Sequence, residues 1–221
     1  MKNYFNIIKN LSTFTLAVEY GFEKGVLVIQ GESGSGKSTI LNCLSGLMTP
    51  DRGKIVLSGR TVFDSDENID FATKDRNLGY VFQNYALFPH MTVEKNIIYG
   101  IKNKPGYKDK TKKKELLDYM DYIIDTFGIS HLREQYPRNI SGGEKQRVAF
   151  SRAMVTQPEL LLLDEPFSAL DSQTKKILYK EFESFKQKFE IPTILITHDK
   201  KESDMFADQR IELESGHIIE T

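Results

Sequence analysis

Gly31-Glu32-Ser33-Gly34-Ser35-Gly36-Lys37-Ser38 fits the pattern G-x-x-x-x-G-K-[ST], a loop whose backbone N–H groups wrap a nucleotide's phosphates. Its flanks meet the structural test of that pattern. Val26-Leu27-Val28-Ile29 is a continuous apolar run, as expected of a strand buried on both faces. Downstream, Ile40, Leu41, Leu44 and Leu47 recur at helical spacing, so a helix is predicted to open where the loop ends. Glycines let the backbone take φ > 0 and approach a ligand closely. A helix N-terminus adds unpaired N–H donors and the positive end of a dipole. Lys37 is placed to reach the β/γ-phosphates, and the Ser38 hydroxyl to bind Mg²⁺.

Working outward, 221 residues suffice for one α/β domain with a sizeable core. Thirty Lys and Arg against 31 Asp and Glu give a formal net charge of −1, which supplies no electrostatic case for nucleic acid. The one cysteine, Cys43, cannot form an internal disulfide, which fits a reducing compartment, and its apolar neighbours predict a buried thiol. No apolar run approaches the roughly 20 residues that cross a bilayer, and the first residues show no signal-peptide cleavage pattern. The expectation is a soluble, cytoplasmic protein that reaches a membrane only through a partner.

Tyr4 to Val18 alternates loosely and predicts antiparallel strands. Thr49–Gly53 reads as a turn before a strand over Lys54–Ser58, Asp64–Lys74 as loop, and Leu78–Phe82 as a strand ending on Gln83. From about Asn84 to Thr156 amphipathic helical patterns replace the strands, with Leu116, Leu117, Met120, Ile123, Ile124 and Phe127 in register. Lys102 to Glu115 is lysine-rich around Pro105 and Gly106, which reads as a solvated face or as attraction to anionic lipid headgroups. Strand signals return at Leu160-Leu161-Leu162-Leu163-Asp164 and Thr193-Ile194-Leu195-Ile196-Thr197. Between them a helix over Gln173–Glu190 carries Ile177, Leu178, Phe182, Phe185 and Phe189 on one face. A hairpin around Glu214–His217 follows.

Asp164 and Glu165 end a strand of four leucines, and ligands of open α/β sheets sit at the carboxyl ends of strands. An Asp there can hold Mg²⁺, and Glu165 is placed to polarise a water toward the γ-phosphorus. Ile140-Ser141-Gly142-Gly143-Glu144 reads either as an ordinary N-cap or as a second anion-binding helix start.

In order along the chain, these motifs resemble those of ABC transporter ATP-binding subunits. Gly31–Ser38 matches the Walker A loop, Gln83 the Q-loop and Ser141–Glu144 the LSGGQ signature. Leu160–Glu165 matches Walker B, Ser168–Asp171 the D-loop and His198 the switch histidine. The resemblance implies a P-loop α/β core with a parallel sheet, an N-terminal antiparallel β subdomain and an inserted helical subdomain. Residues 1–221 would then form one domain, with the core in 1–83 and 157–221, the helical part in 84–156, and no regulatory domain beyond the hairpin.

It further implies ATP and Mg²⁺, held by Gly31, Glu32, Ser33, Gly34, Ser35, Gly36, Lys37, Ser38 and Thr39. Ser38, Gln83 and Asp164 would attend the metal. Glu165, His198, Lys37 and Gln83 would act in hydrolysis. A second copy would pair head to tail and contribute Ser141, Gly142 and Gly143, with Asp171 linking the two sites. Tyr4, Phe5 and Phe14 are all candidates to stack on adenine. The stretch Gln83–Val93 is similar to that of importer ATPases, where it receives a cytoplasmic helix of a membrane permease that works with an external solute-binding protein. Gly143–Arg147 and the short N-terminal region resemble molybdate/tungstate importers; sulfate, sugar, amino-acid and metal importers stay open. A DNA-repair or ribosome-associated ATPase of the same superfamily would carry coiled-coil insertions or paired domains, which the sequence lacks, and a scaffold without turnover would lack Glu165.

Overall fold

The computed structural model of the chain describes residues 2–102, 104 and 107–220; the Pro105-Gly106 pair of the lysine-rich run lies outside them. The chain divides into two compact units, one of Met1–Tyr80, Glu159–Glu165 and Phe182–Thr221, the other of Val81–Pro158 and Pro166–Glu181.

The first unit is built on a mixed sheet. Its strands are β1 (Asn3–Asn10), β2 (Thr15–Phe22), β3 (Val26–Gln30), β4 (Arg52–Leu57), β5 (Arg60–Asp64), β6 (Ile69–Asp70), β7 (Leu78–Val81), β8 (Leu160–Asp164), β9 (Thr193–Ile196), β10 (Gln209–Glu214) and β11 (His217–Glu220). Their spatial order is β6-β5-β4-β1-β2-β11-β10-β3-β9-β8-β7. From β6 to β2 every pairing is antiparallel. Here Phe5 and Ile7 alternate inward on β1, Ile7 opposite the buried Val18, as the period of two requires. From β10 through β3 and β9 to β8 the pairing is parallel, and β3, β8 and β9 are apolar and buried along nearly their whole length. The hairpin of β10 and β11 joins the two halves, with His217 paired to Ala17.

Helix α1 (Lys37–Ser45) buries Ile40, Leu41, Cys43 and Leu44 in the core under this sheet. It stops two residues short of Leu47, the last position of the apolar spacing. Gly46 turns left-handed, and Leu47 is 54% exposed rather than part of the buried face. The predicted Asp64–Lys74 loop instead contains β6 and a turn of 3₁₀ helix at Thr73–Asp75.

In the second unit, α2 (Val93–Ile98), α3 (Lys110–Thr126) and α4 (Gly142–Met154) surround an apolar cluster that includes Val93, Ile97, Met120, Ile124, Val148 and Val155. Asp109 caps α3 by accepting from the N–H groups of Thr111 and Lys112. Helix α5 (Ser172–Phe189) begins in this unit and ends in the first. Ile177, placed by spacing on its apolar face, is exposed. Helix α6 (Lys200–Phe206) returns the chain to the sheet, and Phe206 meets Phe182 edge-on at 4.9 Å. Among the described residues no helix is long and apolar enough to cross a membrane.

One buried cation fixes the far end of α1. Arg76 is 1% exposed and donates to the carbonyls of Cys43, Leu44 and Phe71 and to the Asp70 carboxylate. Helix C-termini leave carbonyls unpaired and carry partial negative charge, and a guanidinium answers both. Cys43, on the same turn, is fully buried, and burial pushes its thiol up to about 11. Arg76→Met is expected to lower the free energy of urea unfolding by about 3 kcal/mol, since it leaves buried carbonyls without donors.

Candidate nucleotide site

Strand register decides what the site can contain. Ile196 of β9 pairs with Ile29 of β3 on one side and with Asp164 of β8 on the other. The loop after β3, the acidic pair at the end of β8 and the turn after β9 therefore leave the sheet at one level. All three lie at the carboxyl edge of parallel strands, where open α/β sheets hold ligands.

The phosphate loop runs from Gly31 to the start of α1, whose N-cap is Gly36. Gly31 has φ 141°, and a Cβ there would stand 2.2 Å from the Leu213 carbonyl oxygen, so no other residue fits. The Lys37 ammonium donates to the loop's own carbonyls, Gly31 at 2.8 Å and Glu32 at 2.7 Å. Burial lowers its pKa, while the nearby carboxylates of Glu165 and Asp164 act in the opposite sense. The Ser35 hydroxyl is buried with no hydrogen-bond partner, an orphan donor inside a loop of the shape that wraps phosphate. Thr39 follows in the first turn of α1.

Asp164 accepts from the Ser38 hydroxyl at 3.1 Å and is 9% exposed. Burial raises its carboxyl pKa above the usual range, with Glu165 adding to the rise and Ser38, Lys37 and Tyr80 opposing it. Tyr80, on β7, was not singled out by motif. Its phenol is pushed up by burial first and then by Asp164, and its hydroxyl also approaches Asn42 Oδ1 at 3.4 Å. Only its place beside β8 in the sheet brings it here.

Glu165 sits at φ 45°, a left-handed conformation that L residues other than glycine adopt under constraint. Its N–H donates to the Ile196 carbonyl at 3.0 Å, which holds the turn. The turn aims the carboxylate at His198, whose Nδ1 lies 3.3 Å from Oε1. Thr197, the residue before His198, donates to the buried Glu202 and accepts from the Asp199 N–H, so the histidine rides on a braced turn.

The structure thus brings together Lys37, Ser38, Asp164, Glu165 and His198 within the first unit. Gln83, Ser141, Gly142, Gly143 and Asp171 belong to the second. Gln83 is exposed on a turn. Ser141 and Glu144 form a capping box: Glu144 accepts from the Ser141 N–H at 2.7 Å, and Ser141 Oγ accepts from the Glu144 N–H at 3.3 Å. Glu at the fifth signature position is thereby explained, because its carboxylate satisfies the cap's own N–H. A Cβ at Gly143 would stand 2.9 Å from the Thr174 methyl, so close helix approach demands that glycine. Asp171 caps α5, accepting from the N–H groups of Gln173 and Thr174 and from the Thr174 hydroxyl.

A glycine loop on a parallel α/β sheet, closed by a carboxylate pair at the same edge, defines a phosphate-loop protein. The ABC transporter family model matches residues 15–168, and the chain belongs to that family. It is 41% identical over 214 residues to the molybdenum import ATP-binding protein ModC of Haemophilus influenzae, an alignment covering 96% of this chain and 58% of that protein. It is 38% identical to the molybdate/tungstate import ATP-binding protein WtpC of Archaeoglobus fulgidus, covering 96% of this chain and 83% of that one. In structure it is similar to the ATP-binding cassette MJ0796, solved as a post-hydrolysis dimer bound to ADP and Pi. The TM-score is 0.78 at 26% identity, covering 100% of this chain and 97% of that one.

Because burial disfavours the ionised form of Asp164, Asp164→Asn is expected to raise the nucleotide-free melting temperature by roughly 2–4 °C, the response of a domain this size to about 1 kcal/mol. Calorimetry of the purified variant measures it.

Proposed function

We propose that the chain binds and hydrolyses ATP as the motor subunit of an ABC importer. The observation that carries this reading is the convergence of Lys37, Ser38, Asp164, Glu165 and His198 on one edge of the parallel sheet. The family and the ATP-binding names of its relatives support it.

In this reading Lys37 exchanges the loop carbonyls for the β/γ-phosphates, and the Ser35 hydroxyl finds its partner there. The hard oxygen donors Ser38 and Asp164 would hold Mg²⁺. When bound, Mg²⁺ neutralises charge on the phosphate oxygens. Glu165 accepts a proton from the water whose oxygen bonds to the γ-phosphorus as the bond to the β,γ-bridging oxygen breaks. His198 contacts the γ-phosphate and holds the Glu165 carboxylate in line. Of the three aromatic candidates for adenine, Phe5 is buried in the core and the Tyr4 hydroxyl is tied to Glu19 at 2.7 Å. Phe14 is half-buried beside the loop, where a Cβ added to Gly36 would meet its ring edge at 3.5 Å, so it takes the base-stacking role.

This reading puts the nucleotide-binding core in 1–83 and 157–221 and the helical part in 84–156, whereas compactness alone groups 81–83 and 166–181 with the second unit. A second copy supplies Ser141–Gly143, so the catalytic unit is a head-to-tail dimer, in keeping with the dimeric relative. Gln83–Val93 receives a helix of a membrane permease, which places the chain on the inner face of the cell membrane. The names of the relatives point to a tetrahedral oxyanion such as molybdate or tungstate as the solute, delivered by a binding protein.

Glu165→Gln is expected to slow hydrolysis by about 10²–10⁴-fold and to trap an ATP-dependent dimer on size-exclusion chromatography. Unchanged turnover would remove Glu165 from its role. Phe14→Ala is expected to weaken ATP binding about tenfold while leaving inorganic triphosphate binding unchanged, as read by competition with a fluorescent nucleotide.

A further inference from the structure

The turn after Gln83 is held in a conformation its own residues disfavour. Tyr85 and Ala86 have φ 59° and 45°, the left-handed region, and neither is glycine, asparagine or aspartate. Tyr85 is also buried with its hydroxyl unpartnered. Two side chains of the second unit hold this segment. Asn96 of α2, fully buried, accepts from the Phe88 N–H at 2.8 Å and donates to the carbonyls of Phe88, Met91 and Thr92. Arg152 of α4 donates to both strained residues, Nη1 to the Ala86 carbonyl at 2.6 Å and Nη2 to the Tyr85 carbonyl at 2.7 Å. Its guanidinium also lies over the Phe88 ring, 5.6 Å from the centroid.

The choice of partner is unusual. No salt bridge to a carboxylate accompanies this half-buried guanidinium among the described residues, and burial alone lowers its pKa. A cation is therefore desolvated to grip two backbone carbonyls in a strained turn. At the other end of the same helix, about three turns away, stand Ser141, Gly142 and Gly143. Helix α4 is a stiff rod between the turn at Gln83 and the glycine pair.

We propose that Arg152 is a positioning residue that clamps the left-handed turn after Gln83 to helix α4, and that pairing of the ATP-bound chain with a second copy depends on this clamp. This rests on the function proposed above. The left-handed pair at Tyr85–Ala86 is disfavoured by its own side chains and needs an outside hold. Held by Arg152, it sets α4 for pairing. Released, it relaxes to right-handed or extended backbone and the helix start is no longer positioned.

The test starts from the full chain carrying Glu165→Gln, with ATP affinity measured by fluorescent nucleotide and dimer fraction by size exclusion at saturating ATP. Adding Arg152→Met, which keeps the stem but removes the donors, is expected to leave the nucleotide Kd within about twofold and to cut the dimerisation constant by about tenfold. Ala86→Gly added to that variant accepts the left-handed turn without a clamp and is expected to restore dimerisation. Ala86→Val reaches the same turn from the loop side and, with Arg152 intact, is expected to reproduce the loss even where Arg152→Met does not fold. Dimerisation at the parent's level in Arg152→Met and Ala86→Val, or loss of ATP affinity in parallel with loss of the dimer, overturns the inference alone. A Glu165→Gln parent that binds ATP without dimerising overturns the proposed function and this inference with it.

Discussion

The placement of Ile196 between Ile29 and Asp164 is the constraint on which the site depends. A parallel ladder does not slide cheaply once three apolar strands are packed in the core, because a slip of one residue exchanges the faces of every side chain and spoils their close packing. That fixed register brings a glycine loop, a carboxylate pair and a histidine to one level although they are spread over more than 160 residues. The chemistry is then a matter of what each strand carries at its carboxyl end. The left-handed turn at Glu165, closed by the Ile196 carbonyl, is the local strain that this arrangement tolerates in order to aim one carboxylate.

Burial of charge follows from the same arrangement. Lys37 and Asp164 both lie under the loop, both disfavoured in their ionised forms by loss of water, and each partly relieved by the other. Helix α1 runs between two electrostatic anchors: at its start the N–H groups and Lys37, at its end the guanidinium of Arg76 on the carbonyls of Cys43 and Leu44. The helix that follows the glycine loop is thus fixed at both termini. Its sides are fixed by Ile40, Leu41 and Leu44 in the core.

Much of this was legible in the chain because it is local. A strand, a glycine loop and a helix in succession encode their own geometry, and so do four leucines ending in two acids. The capping box at Ser141 and Glu144 is written within four residues. Other features depend on which strands become neighbours. Tyr80 reaches Asp164 only through the order of the sheet, and Arg76 and Arg152 look like ordinary surface cations until their distant carbonyl partners are placed. Leu47 and Ile177 misled for a related reason, since spacing marks a face but does not say where a helix stops or how wide its buried stripe is. Gly46 ended α1 before Leu47 could join it. The strand β6 leaves no signal in the sequence, because two residues carry no periodicity.

Cys43 has a practical meaning beyond packing. The sequence's one thiol is enclosed beneath the sheet and held far from ionisation, so it stays silent toward maleimides and other thiol probes in the folded protein. The native chain is already a clean background for reporter chemistry. A pair of cysteines introduced on the surface of the second unit can carry a donor and an acceptor dye without first engineering the core, and unfolding announces itself as the appearance of one additional reactive site.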